Sequence, residues 1–209
     1  MPIKRATLIG AGGHGRVVFE AWQLTLGSDV QIAVRDDNPR LATLLGVAVQ
    51  SPAIPDDSTE LRAHVAIGHN PTRKRIGVAL MAGRGKLEQI LHPCASVSRY
   101  AVISDGVFVA ANATISAGSH LHVGVIINHG AVVDHDCSVG AWSHIAPGAI
   151  LGGGVSIGEG VLIGSGAVIL SGLNIADGAT IGSGAVVTRD VLEQQCWVGV
   201  PARNIDEQR

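Results

Sequence analysis

Rings are scarce in this sequence. Three tryptophans, two phenylalanines and one tyrosine make up 3% of its 209 residues. A core without large rings must be filled by Val, Ile, Leu and Ala. Charge is also sparse, at 15% Asp, Glu, Lys and Arg with a net value of −2. No basic run occurs, which argues against nucleic acid or an anionic membrane as partner. No uninterrupted apolar stretch reaches the ~18–20 residues that span a bilayer. The first residues pass straight into a strand-like segment without a signal-peptide layout. Three widely spaced cysteines form neither a disulfide framework nor a zinc site, and no metal is expected. The composition therefore reads as a soluble, cytoplasmic protein. With 46% hydrophobic residues it is not disordered.

What is abundant is glycine, with 28 residues. Their placement divides the chain in two. Residues 1–92 alternate strand and helix. Ala6–Ile9 predicts a strand, followed by Gly10-Ala11-Gly12-Gly13-His14-Gly15 and a helix through Trp22. Gln31–Arg35 predicts a second strand that ends in the turn residues Asp36-Asp37-Asn38-Pro39. Val47–Gln50 and His64–Gly68 are further strands, Pro71 starts a helix to Met81, and Leu87–Leu91 is a last strand. This alternation predicts a small parallel, Rossmann-like α/β domain.

Residues 93–209 follow another rule. Counting by six from Val97 to Val187 meets only Val, Ile or Leu. Four residues after each lies a second set, from Ala101 to Val191, mostly small or apolar. Glycine fills most places three residues after the first set, from Gly106 to Gly184. A period of six fits neither a helix nor a plain alternating strand. It fits a short strand, a corner and a repeat, three faces making one triangular coil of about 18 residues. About five coils are expected, each burying its aliphatics against its neighbours. Ser171-Gly172 and Asn174 read as a mild interruption, and Pro201 marks an exit segment.

The segments LIGAGGHG, RDDN, VDHDC and VGVPAR, together with the repeat, resemble a known family. It is that of bacterial hexapeptide-repeat acetyltransferases acting on nucleotide-linked 4-amino-sugars, with sialic-acid O-acetyltransferase relatives. The resemblance implies a left-handed parallel β-helix after the α/β domain, a homotrimer with active sites between subunits, and acetyl-CoA as acyl donor. It implies N-acetylation of a nucleotide-linked amino-dideoxy sugar for polysaccharide synthesis. O-acetylation of sialic acid or a related sugar is the alternative enzyme reading. Gly10, Gly12 and Gly15 also satisfy the dinucleotide fingerprint, with Asp36 about 20 residues on. An NAD-binding oxidoreductase and a non-catalytic nucleotide-sugar scaffold are therefore weighed as well.

The resemblance assigns Gly12, Gly13, His14 and Gly15 to the sugar nucleotide's phosphates, and Asp36 and Asp37 to its base. The physics of the turn needs only a diphosphate near a helix N-terminus; a merely tight turn is the plain alternative. Arg73 reads as a solvated helix residue, with pairing to a phosphate as the alternative. In the coil, His135 lies between Asp134 and Asp136, and its phase nominally turns it inward near a corner. A carboxylate on one ring nitrogen makes the other a better base. The resemblance makes His135 the general base and Asp136 its orienting partner, with Asp134 the competing choice. Gly153, in the triplet Gly152-Gly153-Gly154 one coil beyond, is the candidate for the thioester carbonyl. The resemblance adds His144 near the acetyl group and Arg203 near the CoA phosphate. Cys137 falls in the inward set and reads as a buried filler rather than a nucleophile.

Overall fold

The computed structural model describes residues 5–27, 30–55, 61–83 and 85–205. Its first part comprises β1 (Arg5–Ile9), α1 (Gly13–Thr25), β2 (Gln31–Arg35), β3 (Thr43–Leu44), β4 (Val47–Gln50), β5 (Arg62–Val65), α2 (Asn70–Ala82) and β6 (Lys86–Leu87). These strands form one sheet in the order β3-β4-β2-β1-β5-β6. All pairs are parallel except β3 with β4. Side chains alternate across a strand, so β1 feeds both faces. Ala6 and Leu8 pack with Val18, Phe19 and Trp22 of α1, and Ile9 with Ile76 and Leu80 of α2. The helices thus cover opposite faces, as in doubly wound sheets. α2 begins one residue before the predicted Pro71, which sits in its first turn.

The predicted strand Leu87–Leu91 is two elements. Lys86–Leu87 closes the α/β sheet, whereas Ile90–Leu91 is already the first rung of the coil and pairs with Phe108–Val109. From there two-residue strands recur every six residues to Val186–Val187. Each pairs in parallel with the strand 18 residues on, as Thr114–Ile115 with Val132–Val133. Three sheets of eight, six and five strands result. The second face alone, from Ser96 to Val187, makes five such steps, matching the expected number of coils. No loop interrupts the ladder at residues 171–174: Asn174–Ile175 pairs with Ser156–Ile157.

The predicted inward set forms the core. From Val109 to Val187 every one of these aliphatics is buried, while Val97 and Ile103 at the open end are partly covered. Each such burial contributes roughly 1.5–3 kcal/mol. Two serines in the small set are fully buried, and each bridges rungs. Ser119 Oγ donates to the Asp134 carbonyl and accepts from Cys137 N–H. Ser143 Oγ does the same between Gly158 and Val161. A buried hydroxyl with both roles filled is not costly.

The α/β domain sits on one face of the prism. That face points Ile90, Phe108, Ile126 and His144 outward, in one register column. Ile90, Phe108 and Ile126 share a continuous core with Leu8, Phe19 and Trp22. Trp142, at the corner before this face, packs with Ile76 and Leu80 of α2. At the far end, Cys196–Gly199 and Ala202–Asn204 form an antiparallel hairpin on the same face's sheet, with Pro201 at its turn.

Candidate active site

The chain turns a corner after Val132–Val133 and starts the next strand at Ser138. His135 and Asp136 form the turn. Asp136 takes a left-handed conformation, φ +58°, which Asp tolerates better than most residues. This turn swings the His135 ring outward, so it is 62% exposed rather than tucked inside as its phase suggested. His135 Nδ1 lies 2.9 Å from Asp136 Oδ2. An ionised carboxylate only accepts, so Nδ1 carries the proton and Nε2 presents a lone pair. Asp134 binds differently: its Oδ1 accepts the His135 backbone N–H at 2.7 Å. The ring bond to Asp136, then the nearby Asp134 charge, raise the imidazole above its ordinary value.

The next rung brings Gly153 against this ring. A methyl group on Gly153 would overlap Nε2 and approach Cε1 to 2.6 Å. Gly154 N–H donates to the His135 carbonyl at 2.8 Å, locking the two turns together. Gly153 gives its carbonyl to Gly172 N–H, and among the described residues nothing accepts its own N–H. The predicted juxtaposition of histidine and glycine triplet therefore holds. Cys137 Sγ donates to the Gly152 carbonyl at 3.2 Å, and burial raises its thiol. That is a filler, not a nucleophile.

His144 is not beside His135 in one chain. It projects from the face that carries the α/β domain, whereas His135 lies on the corner between the other two faces. Its Nδ1 is 3.3 Å from the Gly68 carbonyl and its Nε2 is 3.2 Å from Asn128 Nδ2. Burial first, then the Arg73 charge, bring it down to about 4. Asn128 went unnoticed in the sequence, where a lone Asn at a corner carries no signal. Arg73 is the larger surprise. Instead of facing solvent it is 1% exposed at the domain junction.

The glycine-rich turn splits into two roles. Gly10 has φ +112°, and a methyl on Gly15 would overlap the Gly10 carbonyl, so these two allow the helix to approach the strand. Gly12 and Gly13 have open space where a side chain would be. They line a cleft of about 420 Å³ with Arg16, Asp36, Asn38 and Arg40. Helix α1 has no side-chain cap and no acidic residue in its first turn, and its N-terminal end at Gly12 and Gly13 lines this cleft, a suitable setting for a phosphate. The His14 ring points away, edge-on to Phe108 with centroids 5.4 Å apart. Among the described residues its buried Nε2 has no partner, and burial brings the ring down to about 3. Only its backbone remains for an anion.

The acidic pair is already engaged. Asp36 accepts from Ala11 N–H at 2.8 Å and from Asn38 N–H at 2.9 Å. Asp37 accepts from Ala53 N–H. Both carboxylates adjoin a second, smaller cavity of about 130 Å³ with Thr72 and Arg75. Arg203 lies exposed on the terminal hairpin, its guanidinium donating to the Ala202 carbonyl. Among the described residues no cluster of three His, Cys, Asp or Glu side chains could hold a metal ion, and no helix is long and apolar enough to cross a membrane.

Residues 5–79 match the PglD N-terminal domain family, and residues 154–189 match the bacterial transferase hexapeptide (six repeats) family. A 117-residue stretch is 34% identical to UDP-N-acetylbacillosamine N-acetyltransferase of Bacillus subtilis (strain 168). The match covers 52% of this chain and spans only about half, 52%, of the curated relative's length. The acetyltransferase domain of PglB from Neisseria gonorrhoeae FA1090 is 36% identical, with 97% of this chain and 100% of that one covered and a TM-score of 0.90. It is also known in complex with acetyl coenzyme A. PerB from Caulobacter crescentus, in complex with CoA and GDP-perosamine, is 36% identical over 95% of this chain and 96% of that one, with a TM-score of 0.85. By this likeness along nearly its whole length, the chain belongs to the bacterial sugar N-acetyltransferases that join a PglD-type N-terminal domain to a hexapeptide-repeat coil.

Proposed function

We propose that the protein transfers acetyl from acetyl-CoA to the amino group of a nucleotide-linked amino-dideoxy sugar, with His135 as general base. One observation carries this reading: Gly153 abuts the Nε2 edge of an imidazole whose Nδ1–H is held by Asp136. The amine lone pair attacks the thioester carbonyl carbon while Nε2 takes the amine proton. The resulting oxyanion accepts the Gly153 N–H. Collapse breaks the C–S bond, and the departing thiolate takes the proton from Nε2. The products are the amide and free CoA thiol. The Gly12–Gly13 cleft suits the acceptor's diphosphate, and the cavity beside Asp36 and Asp37 suits its base.

The geometry also favours assembly. The chain's own α/β domain lies across the prism from His135, so the reading requires a neighbour's domain at that corner. The second face points Thr114, Val132, Ile150, Val168 and Val186 outward, an apolar column suited to self-association. The third face instead shows His120, Ser138, Ser156 and Asn174. This supports a homotrimer with sites between subunits; a place in the cytoplasm, on precursors for polysaccharide, follows the family resemblance instead. The test is thiol release from acetyl-CoA with UDP-, dTDP- and GDP-linked 4-amino-sugars. Thiol release with one of these acceptors is expected; none with any acceptor would sink the reading.

A further inference from the structure

Arg73 heads the fully buried side chains in size. Among the described residues no carboxylate pairs with it; every partner is an uncharged oxygen. Its Nε donates to the Gly124 carbonyl at 2.9 Å. Nη1 donates to the carbonyls of Ile67 and Gly68, at 2.9 and 3.2 Å. Nη2 donates to Asn70 Oδ1 at 2.9 Å and to the carbonyls of Trp142 and Ser143, at 2.6 and 3.3 Å. One planar fork thus ties the loop after β5 and the start of α2 to the same corner of the coil on two successive turns. Asn70 extends the tie, its Nδ2 donating to the Gly160 and Val161 carbonyls.

The Gly68 carbonyl has a second donor, the His144 ring at Nδ1. A carbonyl only accepts, so the proton sits on Nδ1. Nε2 is then the acceptor, matching the Asn128 amide that faces it. We propose that Arg73 is a positioning residue for acyl transfer: through the shared Gly68 carbonyl it holds His144 in the Nδ1–H form, with Nε2 as a fixed acceptor. This rests on the reading that His144 belongs to the transfer site. The same guanidinium places an uncompensated positive charge beside the ring, which opposes a second proton there. Arg73 from α2 and His14 from α1 face His144; His64 from β5 and His129 from the coil act electrostatically on His14 in turn. A lysine could keep the charge but not six donor contacts from one plane.

Ring nitrogen spectra of the full chain, labelled with ¹⁵N-histidine and free of ligand, test this directly. His144 is assigned by its loss in His144→Asn. Wild type is expected to show a protonated Nδ1 and a bare Nε2 from pH 5 to 8. Arg73→Met should raise the His144 midpoint by about one pH unit or more, as expected for loss of a nearby like charge. Arg73→Lys should keep a low midpoint but mix the two tautomers, and lower kcat about tenfold, within the range of misplaced catalytic groups. An Nε2–H tautomer in wild type overturns the proposal. So does an unchanged midpoint in folded Arg73→Met, or an Arg73→Lys protein with wild-type spectra and kcat. Should Arg73→Met not fold, the wild-type tautomer and the lysine variant still decide. The spectra need no substrate, so a failed thiol assay with these ring results intact would count against the transfer reading alone.

Discussion

The Cα of Gly153 packs against the Nε2 edge of His135, one rung along the coil, with no room for a methyl group between them. Gly153→Ala would therefore push the exposed ring aside rather than disturb the core. The expected result is a loss of thiol-release activity of at least about tenfold, with the thermal midpoint changed little. Equal activity in the alanine variant would separate Gly153 from the chemistry.

His135→Ala should lower turnover roughly 10²–10⁴-fold, the usual range for a positioned base, while CoA binding by calorimetry survives. A loss below about threefold would remove His135 from this role.

The two flanking carboxylates make separable predictions. Asp136 holds the ring and Asp134 holds the backbone. The raised imidazole must be deprotonated to act, so kcat/KM should climb with pH through a value above 6.5. Asp136→Asn weakens the largest cause of that rise, so the acid limb should move to lower pH while kcat falls. Asp134→Asn should move the limb less, and any loss of kcat should accompany a loosened turn. The pH–rate profiles of both variants decide between them.

Stability should also depend on pH. His14 lies at about 3, and His64 and His144 at about 4, against an ordinary 6.5. Above 6.5 these rings are neutral in the folded and the unfolded chain, and their contribution is whole. Between 6.5 and about 4 only the unfolded chain takes up protons, so stability falls as pH falls. The slope is up to about 1.4 kcal/mol per pH unit for each ring. Urea midpoints should be level from pH 8 to 7 and drop steeply below 6; a level profile down to pH 4.5 would contradict this origin.

Gly77 faces the Trp142 ring so closely that a methyl would overlap it. Gly77→Ala should destabilise the chain by about 1–3 kcal/mol, as for overpacking elsewhere. The loss should appear in the α/β domain's attachment to the coil, as faster amide exchange in α2.

The sequence carried the coil and the stacking of the glycine triplet on the His135 corner, because a six-residue period fixes which strand residues point inward and an 18-residue step fixes what stacks on what; it did not carry the left-handed turn at Asp136 that swings the His135 ring outward. It carried less of the junction. Arg73 looks like any helix arginine, since nothing local to Pro71–Ile76 shows that a tryptophan and two corner carbonyls from residues far along the chain close over it. The His14 ring misled in the same way: its neighbours in sequence suggest a phosphate, and its neighbours in space are Phe108 and His144. One signal was available and subtle. Between Gly106 and Gly184 the left-handed corner position is glycine except at Asn112, Asp136 and Trp142. The last two mark the partner of the His135 ring and the docking of the domains.

The strict register of the rungs makes the coil a screw whose thread can be cut only at certain lengths. Deleting one full 18-residue turn, such as residues 168–185, returns every later aliphatic to its own face. Deleting six restores the inward pattern but rotates all that follows by a third of a revolution, carrying the terminal hairpin and Arg203 to a different side. Deleting a single residue leaves each subsequent aliphatic pointing the wrong way, and the solenoid beyond that point has no core.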